Sequence, residues 1–159
     1  MLKISQETYF APGDDCEAAL VAFVQSATKS VRVADYSFNL QSLTDTLIAQ
    51  HTAGIDVQLV LDRSQAAGPS ERPIVAELRA AGVPLVVGTS DQHRIMHNKF
   101  VIVDGVAVLS GSYNFTHTAS LESNYFDIAH NPLRAQAFLD AWQQIHDWIE
   151  THEPQEAPQ

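Results

Sequence analysis

The feature that most constrains the fold is the alternation of short apolar runs with segments of helical periodicity. Apolar runs typical of strands occupy residues 31–36, 57–61 and 84–87. Apolar side chains at helical spacing fill the segments before and between these runs, at residues 16–28, 40–53 and 73–81. Asp14 or Asp15 is positioned to cap the first helix, and Gly54 to end the second.

The pattern changes after residue 99. Two apolar runs, at residues 100–103 and 106–110, are joined by Asp104-Gly105, a dipeptide typical of hairpin turns. Residues 124–129 predict another strand, and residues 133–150 predict a long closing helix. A short strand is expected at residues 8–10 and a loop at residues 63–72. The whole pattern predicts an α/β fold, with a mixed β-sheet flanked by helices on both faces.

The size of the chain fits one domain. A chain of 159 residues can bury a proper core, so we expect a single domain over residues 1–150 and a flexible polar tail at residues 151–159. Cys16 is the only cysteine, which excludes an internal disulfide. No apolar run approaches the length of a membrane span, and residues 1–7 lack the apolar core of a secretory signal. We therefore expect a cytoplasmic protein with no stable membrane insertion.

Two short motifs indicate the chemistry. His97, Lys99 and Asp104 form H-x-K-x4-D, and residues 111–114 form G-S-x-N. The composition of the chain predicts roughly 0.01 chance matches to the first motif, and the second motif so close behind makes coincidence less credible still. An imidazole, an ammonium group and neutral hydrogen-bond donors suit attack on a phosphodiester.

These side chains predict a mechanism. The neutral imidazole of His97 can attack phosphorus and form a phosphohistidine, and a second, protonated imidazole must give a proton to the leaving oxygen. One copy of the motif supplies one such histidine, so we expect a twofold homodimer that pairs two His97 residues. Lys99, Ser112 and Asn114 are the predicted donors to the other phosphate oxygens. Asp104 is interpreted as a carboxylate that orients a Lys or His, as a turn residue, or as both.

The residues around the motifs extend this interpretation. Segments at residues 9–13, 35–38, 60–63 and 95–96 accompany them. Through these segments and the two motifs, the chain resembles the phospholipase D superfamily. Within that superfamily it resembles the small nucleases that carry the motif once and work as homodimers. The resemblance implies a metal-independent phosphodiesterase that binds no metal and no cofactor. It also implies a nucleic-acid substrate, with DNA expected before RNA.

One position departs from that family. In the dimeric nucleases, a glutamate about a dozen residues after G-S-x-N holds the ring of the histidine. Tyr125 occupies this position here. Asp127 lies two residues further along the predicted strand, on the same face, and is the first candidate to replace the glutamate. Glu122, before the strand, is the second candidate.

The charge of the chain restricts where a nucleic acid could bind. The formal net charge is −10, with only nine Lys and Arg residues, whereas phosphate backbones are bound mainly by those residues. A basic groove must therefore be local, and Arg63, Arg94 and Lys99 are its candidates. Arg63 and Arg94 could equally be solvated or paired with acids. His117 is a further candidate substrate contact, or else a solvent-facing residue at the start of a helix.

The other histidines and the tryptophans are assigned simpler roles. His93 and His97 are four residues apart, but their segment is predicted to be loop and strand, so a zinc site is disfavoured. Trp142 and Trp148 lie on the closing helix and are expected to pack in the core or at a dimer interface.

Three functional classes are compatible with these residues. The first is a nuclease. The second is a lipid phosphodiesterase or phosphatidyltransferase, which would use the same catalytic residues. The third is a dimeric nucleic-acid-binding module with weak catalysis, which Tyr125 and the acidic charge suggest.

Overall fold

A computed structural model describes residues 4–155, which form seven strands, five α-helices and one short 3₁₀ helix. The strands are β1 (Ser5–Ala11), β2 (Ser30–Asp35), β3 (Asp56–Asp62), β4 (Leu85–Gly88), β5 (Lys99–Val103), β6 (Ala107–Gly111) and β7 (Asn124–His130). The helices are α1 (Cys16–Gln25), α2 (Gln41–Thr52), α3 (Arg63–Ala66), α4 (Arg72–Ala80) and α5 (Pro132–His152), with the 3₁₀ helix at Thr118–Leu121.

All seven strands belong to one mixed sheet in the order β1-β7-β6-β5-β2-β3-β4. Strands β2, β3 and β4 are parallel, whereas every other neighbouring pair is antiparallel. As a result, the carboxyl ends of β2, β3 and β6 meet the amino ends of β5 and β7 along one edge of the sheet. We call this the site edge, and the opposite one the far edge.

Helices cover both faces of the sheet, as the sequence predicts. One apolar cluster joins α1, α2 and α4 to the sheet, with Leu20, Leu43 and Leu78 fully buried. A second cluster lies under α5, where the buried Trp142 donates its indole N–H to the carbonyl oxygen of Val33 at 2.8 Å. The expected packing role of Trp142 is confirmed, and its polar atom is satisfied in the core.

Local signals place the helix ends. Asp15 caps α1 by accepting the N–H of Ala18 at 3.0 Å. Gly54, just past α2, adopts a φ of +91°, which L side chains rarely allow. Asn131 caps α5 by accepting the N–H groups of Leu133 and Arg134.

Several sequence-based expectations are wrong at their boundaries. Strand β1 covers Ser5–Ala11, longer than the expected residues 8–10, and α1 ends at Gln25, before the expected residue 28. Residues 63–66 form α3 instead of loop, because the Asp62 carboxylate at the end of β3 accepts the first N–H groups of a helical turn. The tail does not begin at residue 151, since α5 continues to His152. Glu153 accepts the N–H of Thr89 at 2.9 Å, and Gln155 accepts that of Val87 at 2.9 Å. These contacts attach residues 153–155 to the end of β4, and residues 156–159 lie outside the described part of the chain.

Candidate active site

His97 and Lys99 meet at the site edge, where the chain enters β5. Lys99 is the first residue of that strand and lies opposite Asp35, the last residue of β2. The Lys99 Nζ lies 3.3 Å from the Nε2 of His97 and donates to the His97 carbonyl oxygen at 2.9 Å. The His97 side chain is exposed. An imidazole nitrogen and an ammonium group are thus held side by side where a substrate can reach them.

Tyr36 packs against this pair. Its ring centroid lies 4.6 Å from that of His97 with an edge-on orientation, and 5.4 Å from the Lys99 Nζ. The amide of Gln65, on α3, donates to the Tyr36 hydroxyl at 3.0 Å. The tyrosine therefore limits the rotation of the imidazole and contributes a cation–π contact to the lysine.

Asp62 fixes the backbone that leads into the motif. This buried carboxylate accepts the N–H of Met96 at 2.8 Å through one oxygen, while the other caps α3. Met96 is itself buried. Since His97 directly follows Met96, the hydrogen bond from Met96 to Asp62 at the end of β3 fixes the backbone position of His97.

Two further buried carboxyl groups hold the loops beside the site. Asp35 accepts the N–H of Phe115 at 3.0 Å, and Glu71 accepts the N–H of Phe38 at 2.8 Å. Burial raises the pKa of Asp35 well above its usual range and raises that of Glu71 to about 7. Burial lowers the pKa of Lys99, and neighbouring Asp35 opposes this shift. These acids position the loops that follow β2 and β6. The partial burial of Lys99 leaves its ammonium group less heavily hydrated than that of a surface lysine.

The G-S-x-N motif is built around a close approach of β6 to β7. A Cβ on Gly111 would lie 2.2 Å from the carbonyl oxygen of Tyr125, so only glycine fits. The Ser112 hydroxyl donates to Asn124 at 3.0 Å and accepts the N–H of Tyr125 at 3.1 Å. The Asn114 Oδ1 is buried and has no hydrogen-bond partner within residues 4–155. Ser112 thus has a clear structural role, and the direct phosphate contacts of Ser112 and Asn114 stay predictions.

Asp104 lies at the far edge, five strand residues or about 16 Å from Lys99. Asp104 and Gly105 have positive φ angles, +53° and +66°, and form the tight hairpin turn that the sequence predicts. The Asp104 carboxylate accepts the N–H groups of Thr28, Lys29 and Ser30 at 2.7 to 3.1 Å and the Thr28 hydroxyl at 2.8 Å. Burial alone would raise the pKa of Asp104, but these hydrogen bonds outweigh it and lower the pKa. The turn interpretation is confirmed, and the expectation that Asp104 orients the catalytic Lys or His is wrong.

Comparison with known proteins identifies the family. The model of the family described as "Cardiolipin synthase, PLD-like domain" matches residues 20–145. This chain belongs to the phospholipase D superfamily. Phospholipase D of Rickettsia prowazekii is 30% identical over 137 residues, which are 85% of this chain and 64% of that protein. Mitochondrial cardiolipin hydrolase of Xenopus tropicalis is 30% identical over 107 residues, 67% of this chain and 49% of that protein. The chain thus spans about half to two thirds of these relatives.

Solved structures agree with this assignment. Nuc from Salmonella typhimurium, a phospholipase D family member, superimposes with a TM-score of 0.86 at 28% identity, covering 91% of this chain and 95% of Nuc. NucT from Helicobacter pylori superimposes with a TM-score of 0.83 at 19% identity, covering 91% of this chain and 97% of NucT, and shows the shared fold. The mixed seven-stranded sheet is therefore the superfamily fold.

The expected substitute for the family glutamate is wrong. Phe100 lies opposite Ser110, and Ser110 lies opposite Asp127, so all three side chains point to the face that α5 covers. Lys99, one residue before Phe100, points to the other face. Asp127 instead accepts a hydrogen bond from the hydroxyl of Thr8 at 2.6 Å.

The second candidate, Glu122, does not reach His97 either. It is exposed after the 3₁₀ helix and accepts a hydrogen bond from the Asn124 side chain at 3.2 Å. Tyr125 is 44% exposed and its ring lies 6.3 Å from that of Phe10. In the part of the chain that the structure describes, the His97 ring hydrogen-bonds to Lys99 and to no carboxylate.

The predicted basic groove is only partly assembled. Arg63 forms a salt bridge with Glu153, which confirms the paired alternative for this residue. Arg94 is exposed in the loop before β5, where its backbone is bonded to Ser90. His117 is exposed at the start of the 3₁₀ helix, as its simpler interpretation predicts. Substrate contacts by Arg94 and His117 stay predictions.

The acids beneath the site are not among the residues predicted from the motifs. Asp35 and Asp62 each end a buried strand at the site edge, and this position after an apolar run is a signal that could have identified them. Tyr36 follows directly after Asp35 and could have been found in the same way. Glu71 lies in a predicted loop between polar residues, and nothing in the sequence marks it as buried.

Proposed function

We propose that this protein is a metal-independent phosphodiesterase, a nuclease with little sequence preference that forms a covalent intermediate on His97. The observation that carries the proposal is the 3.3 Å approach of the Lys99 Nζ to the His97 Nε2 at an exposed edge of the sheet. A neutral imidazole provides the nucleophile, and the adjacent cation can stabilise charge on the phosphate oxygens. Attack by histidine in this way requires no metal ion.

The proposed reaction has two displacements at phosphorus. The Nε2 of His97 forms a bond to phosphorus while the bond to the leaving oxygen breaks, and a second imidazole gives that oxygen a proton. A water then attacks phosphorus, loses its proton to the second imidazole, and releases His97. Lys99 contacts the two non-bridging oxygens throughout. The rate should rise and then fall with pH, because one imidazole must be neutral while the other is protonated.

The second imidazole is proposed to come from a second copy of the chain. Each copy carries one H-x-K-x4-D motif, so a twofold dimer with facing site edges supplies both groups. Phe10, Leu121 and Tyr125 lie near the β1 end of the site edge with 59%, 75% and 44% of their surfaces exposed. Such exposed apolar groups support an interface on this side of the molecule.

A lipid phosphodiesterase or phosphatidyltransferase is the second candidate. The matched relatives include proteins named phospholipase D and mitochondrial cardiolipin hydrolase, and the same histidine chemistry would serve a lipid. Within residues 4–155, no helix combines the length and hydropathy that crossing a bilayer requires. A dimeric binding module with weak catalysis is the third candidate, supported by the missing carboxylate partner of His97.

One experiment separates these candidates. Pure protein and its His97→Ala variant are incubated in EDTA with labelled DNA, labelled RNA, and vesicles containing cardiolipin and phosphatidylcholine. We expect wild type to cleave nucleic acid and the variant to be inactive. Head-group release without nucleic-acid cleavage would support the lipid enzyme, and salt-sensitive DNA binding without cleavage would support the binding module. Activity that needs a divalent ion would contradict the histidine mechanism.

A further inference from the structure

Asp35 is a fully buried carboxyl group at the site edge. It is the last residue of β2 and pairs with Lys99, the first residue of β5, in antiparallel register. The neighbouring pair, Ala34 and Phe100, points to the face that α5 covers. Asp35 and Lys99 therefore both point to the opposite face, where the Cβ atoms of such a pair are about 4.5–5.5 Å apart.

One oxygen of this carboxyl group is fixed by the loop after β6. The Oδ2 atom of Asp35 accepts the N–H of Phe115 at 3.0 Å. The carbonyl oxygen of Phe115 in turn accepts the N–H groups of Asn39 and Leu40, each at 3.0 Å. The loops after β2 and β6 are thus linked to each other, and moving the Asp35 carboxyl group would break its hydrogen bond to them.

The other oxygen of Asp35 is buried and has no hydrogen-bond partner within residues 4–155. Burial raises the pKa of Asp35 well above its usual range, and Glu71, just before α4, raises it further, while Lys99 lowers it. Burial and Asp62, at the end of β3, raise the pKa of Glu71 in turn. Burial lowers the pKa of Lys99, and Asp35 opposes this shift. The charged forms of Asp35 and Lys99 therefore favour each other.

The ionisable groups on the other side of Lys99 do not supply a negative charge. The His97 Nε2 lies 3.3 Å from the Lys99 Nζ, and the Tyr36 ring centroid lies 5.4 Å from it. An imidazole is neutral or positive, and a phenol is neutral below about pH 10. Within residues 4–155, Asp35 is therefore the acid that favours the charged form of Lys99.

We propose that Asp35 is a positioning residue of the reaction, which keeps the Lys99 ammonium group charged and beside His97 for the substrate phosphate. The proposal rests on the proposed phosphodiesterase function and adds to it a residue that does not touch the substrate. Lys99 must be charged to stabilise the phosphate oxygens as negative charge grows on them. A half-buried lysine without an acid beside it loses its proton more readily. Asp35 therefore extends the working range of the site towards alkaline pH.

The titration of Lys99 tests this proposal without any turnover. The chain has three lysines, Lys3, Lys29 and Lys99, so the ε-carbon resonances of ¹³C-labelled lysine can be assigned by replacing the other two with arginine. Wild type is compared with Asp35→Asn, because asparagine keeps the size and an acceptor oxygen for Phe115 but has no charge. We expect the titration midpoint of Lys99 to fall by about one pH unit. An unchanged or higher midpoint would overturn the proposal.

Glu71→Gln is the matched control. Glu71 is also buried and also accepts one backbone N–H, from Phe38 at 2.8 Å. Its replacement removes a negative charge that disfavours ionised Asp35, so the titration midpoint of Lys99 should not fall. An equal fall in both variants would mean that Asp35 has no special relation to Lys99, and the proposal would fail.

A reciprocal measurement covers the case in which Asp35→Asn does not fold. Lys99 is only half-buried, and Lys99→Met keeps the length of its side chain without the charge. Because the coupling between two sites is mutual, the carboxyl carbon resonance of Asp35 should titrate at a higher pH in Lys99→Met than in wild type. Equal midpoints would overturn the proposal.

Reaction rates separate this proposal from the nuclease itself. Initial rates on labelled DNA in EDTA are measured for wild type and Asp35→Asn from about pH 6 to about pH 10. A lower Lys99 midpoint should shift the alkaline limb of the kcat profile to lower pH, with a loss of about tenfold at its alkaline end. A loss that is equal at every pH would indicate a displaced loop and overturn the proposal.

The two failures are distinguishable. If neither protein cleaves DNA, the nuclease proposal fails while the titration of Lys99 still tests Asp35. If wild type cleaves DNA and Asp35→Asn matches it across the pH range, only the proposal for Asp35 fails.

Discussion

The two ends of β5 belong to one sequence motif but differ in chemistry. At the site edge, His97 is exposed and Lys99 is half-buried, and their side chains have few fixed hydrogen-bond partners. At the far edge, four donors from residues 28–30 bind the carboxylate of Asp104. The site-edge pair keeps hydrogen-bonding capacity for a substrate, whereas Asp104 uses its own to join the β5–β6 turn to the start of β2. The four residues between Lys99 and Asp104 in the motif therefore correspond to the rest of strand β5, which separates the two side chains.

The largest expected effect lies at the site edge. His97→Ala should lower kcat/KM for nucleic acid by at least about 10⁴-fold, because the nucleophile is removed. Lys99→Ala should lower it by about 10²–10³-fold through loss of charge stabilisation. Initial rates in EDTA measure both effects, and sedimentation should show an unchanged oligomeric state. A His97→Ala rate near that of wild type would remove His97 as the nucleophile.

At the far edge, the expected effect is on stability and not on rate. Asp104→Ala should lower the free energy of unfolding by about 2–4 kcal/mol, because it leaves three N–H groups without their acceptor. Asp104→Asn is the matched control, since asparagine tolerates a positive φ and keeps one acceptor oxygen. Urea unfolding measures the stability, and kcat of the folded protein should stay within about threefold. A large loss of kcat at full stability would contradict the separation of the two ends.

Glu71 should make stability depend on pH beneath the site. Its pKa is raised to about 7 from 4.5, so the folded protein favours the protonated acid. The raised pKa contributes fully to the free energy of unfolding below pH 4.5. As the pH rises to about 7, roughly 3 kcal/mol of this contribution is lost. In Glu71→Gln, the urea midpoint should lose that part of its pH dependence, whereas Glu77→Gln, at an exposed position of α4, should behave as wild type. Identical pH profiles for all three proteins would show that Glu71 is not buried as an acid.

The smallest effects are expected at the positions considered for the family glutamate. Asp127→Asn and Glu122→Gln should each change kcat less than about twofold, because neither side chain reaches His97. Steady-state rates on the same DNA substrate measure this. A tenfold loss in Asp127→Asn alone would mean that β7 reaches the site in a way that its register with β6 does not provide.

Much of the fold could be predicted from local patterns. Apolar periodicity located the strands and the long helices, and Asp104-Gly105 located the hairpin, because these signals act within one element or across one turn. The α3 turn cannot be recognised from the sequence, because its capping residue, Asp62, is also the last residue of a strand. The sequence does not show that residues 153–155 pack on the sheet, since Glu153 and Gln155 are polar and are held by their contacts with the end of β4.

The sequence by itself determined the family, the alternating layout and the pair His97 and Lys99, since these depend on residue identity and short spacing. Tertiary structure alone decided that Asp104 lies far from the reactive pair and that Asp127 points to the wrong face. It also decided that Asp35, Asp62 and Glu71 converge beneath the site. Strand order and register bring Asp35 together with Phe115, 80 positions away, and Thr8 together with Asp127, 119 positions away. A single residue of register moves a side chain to the opposite face of the sheet.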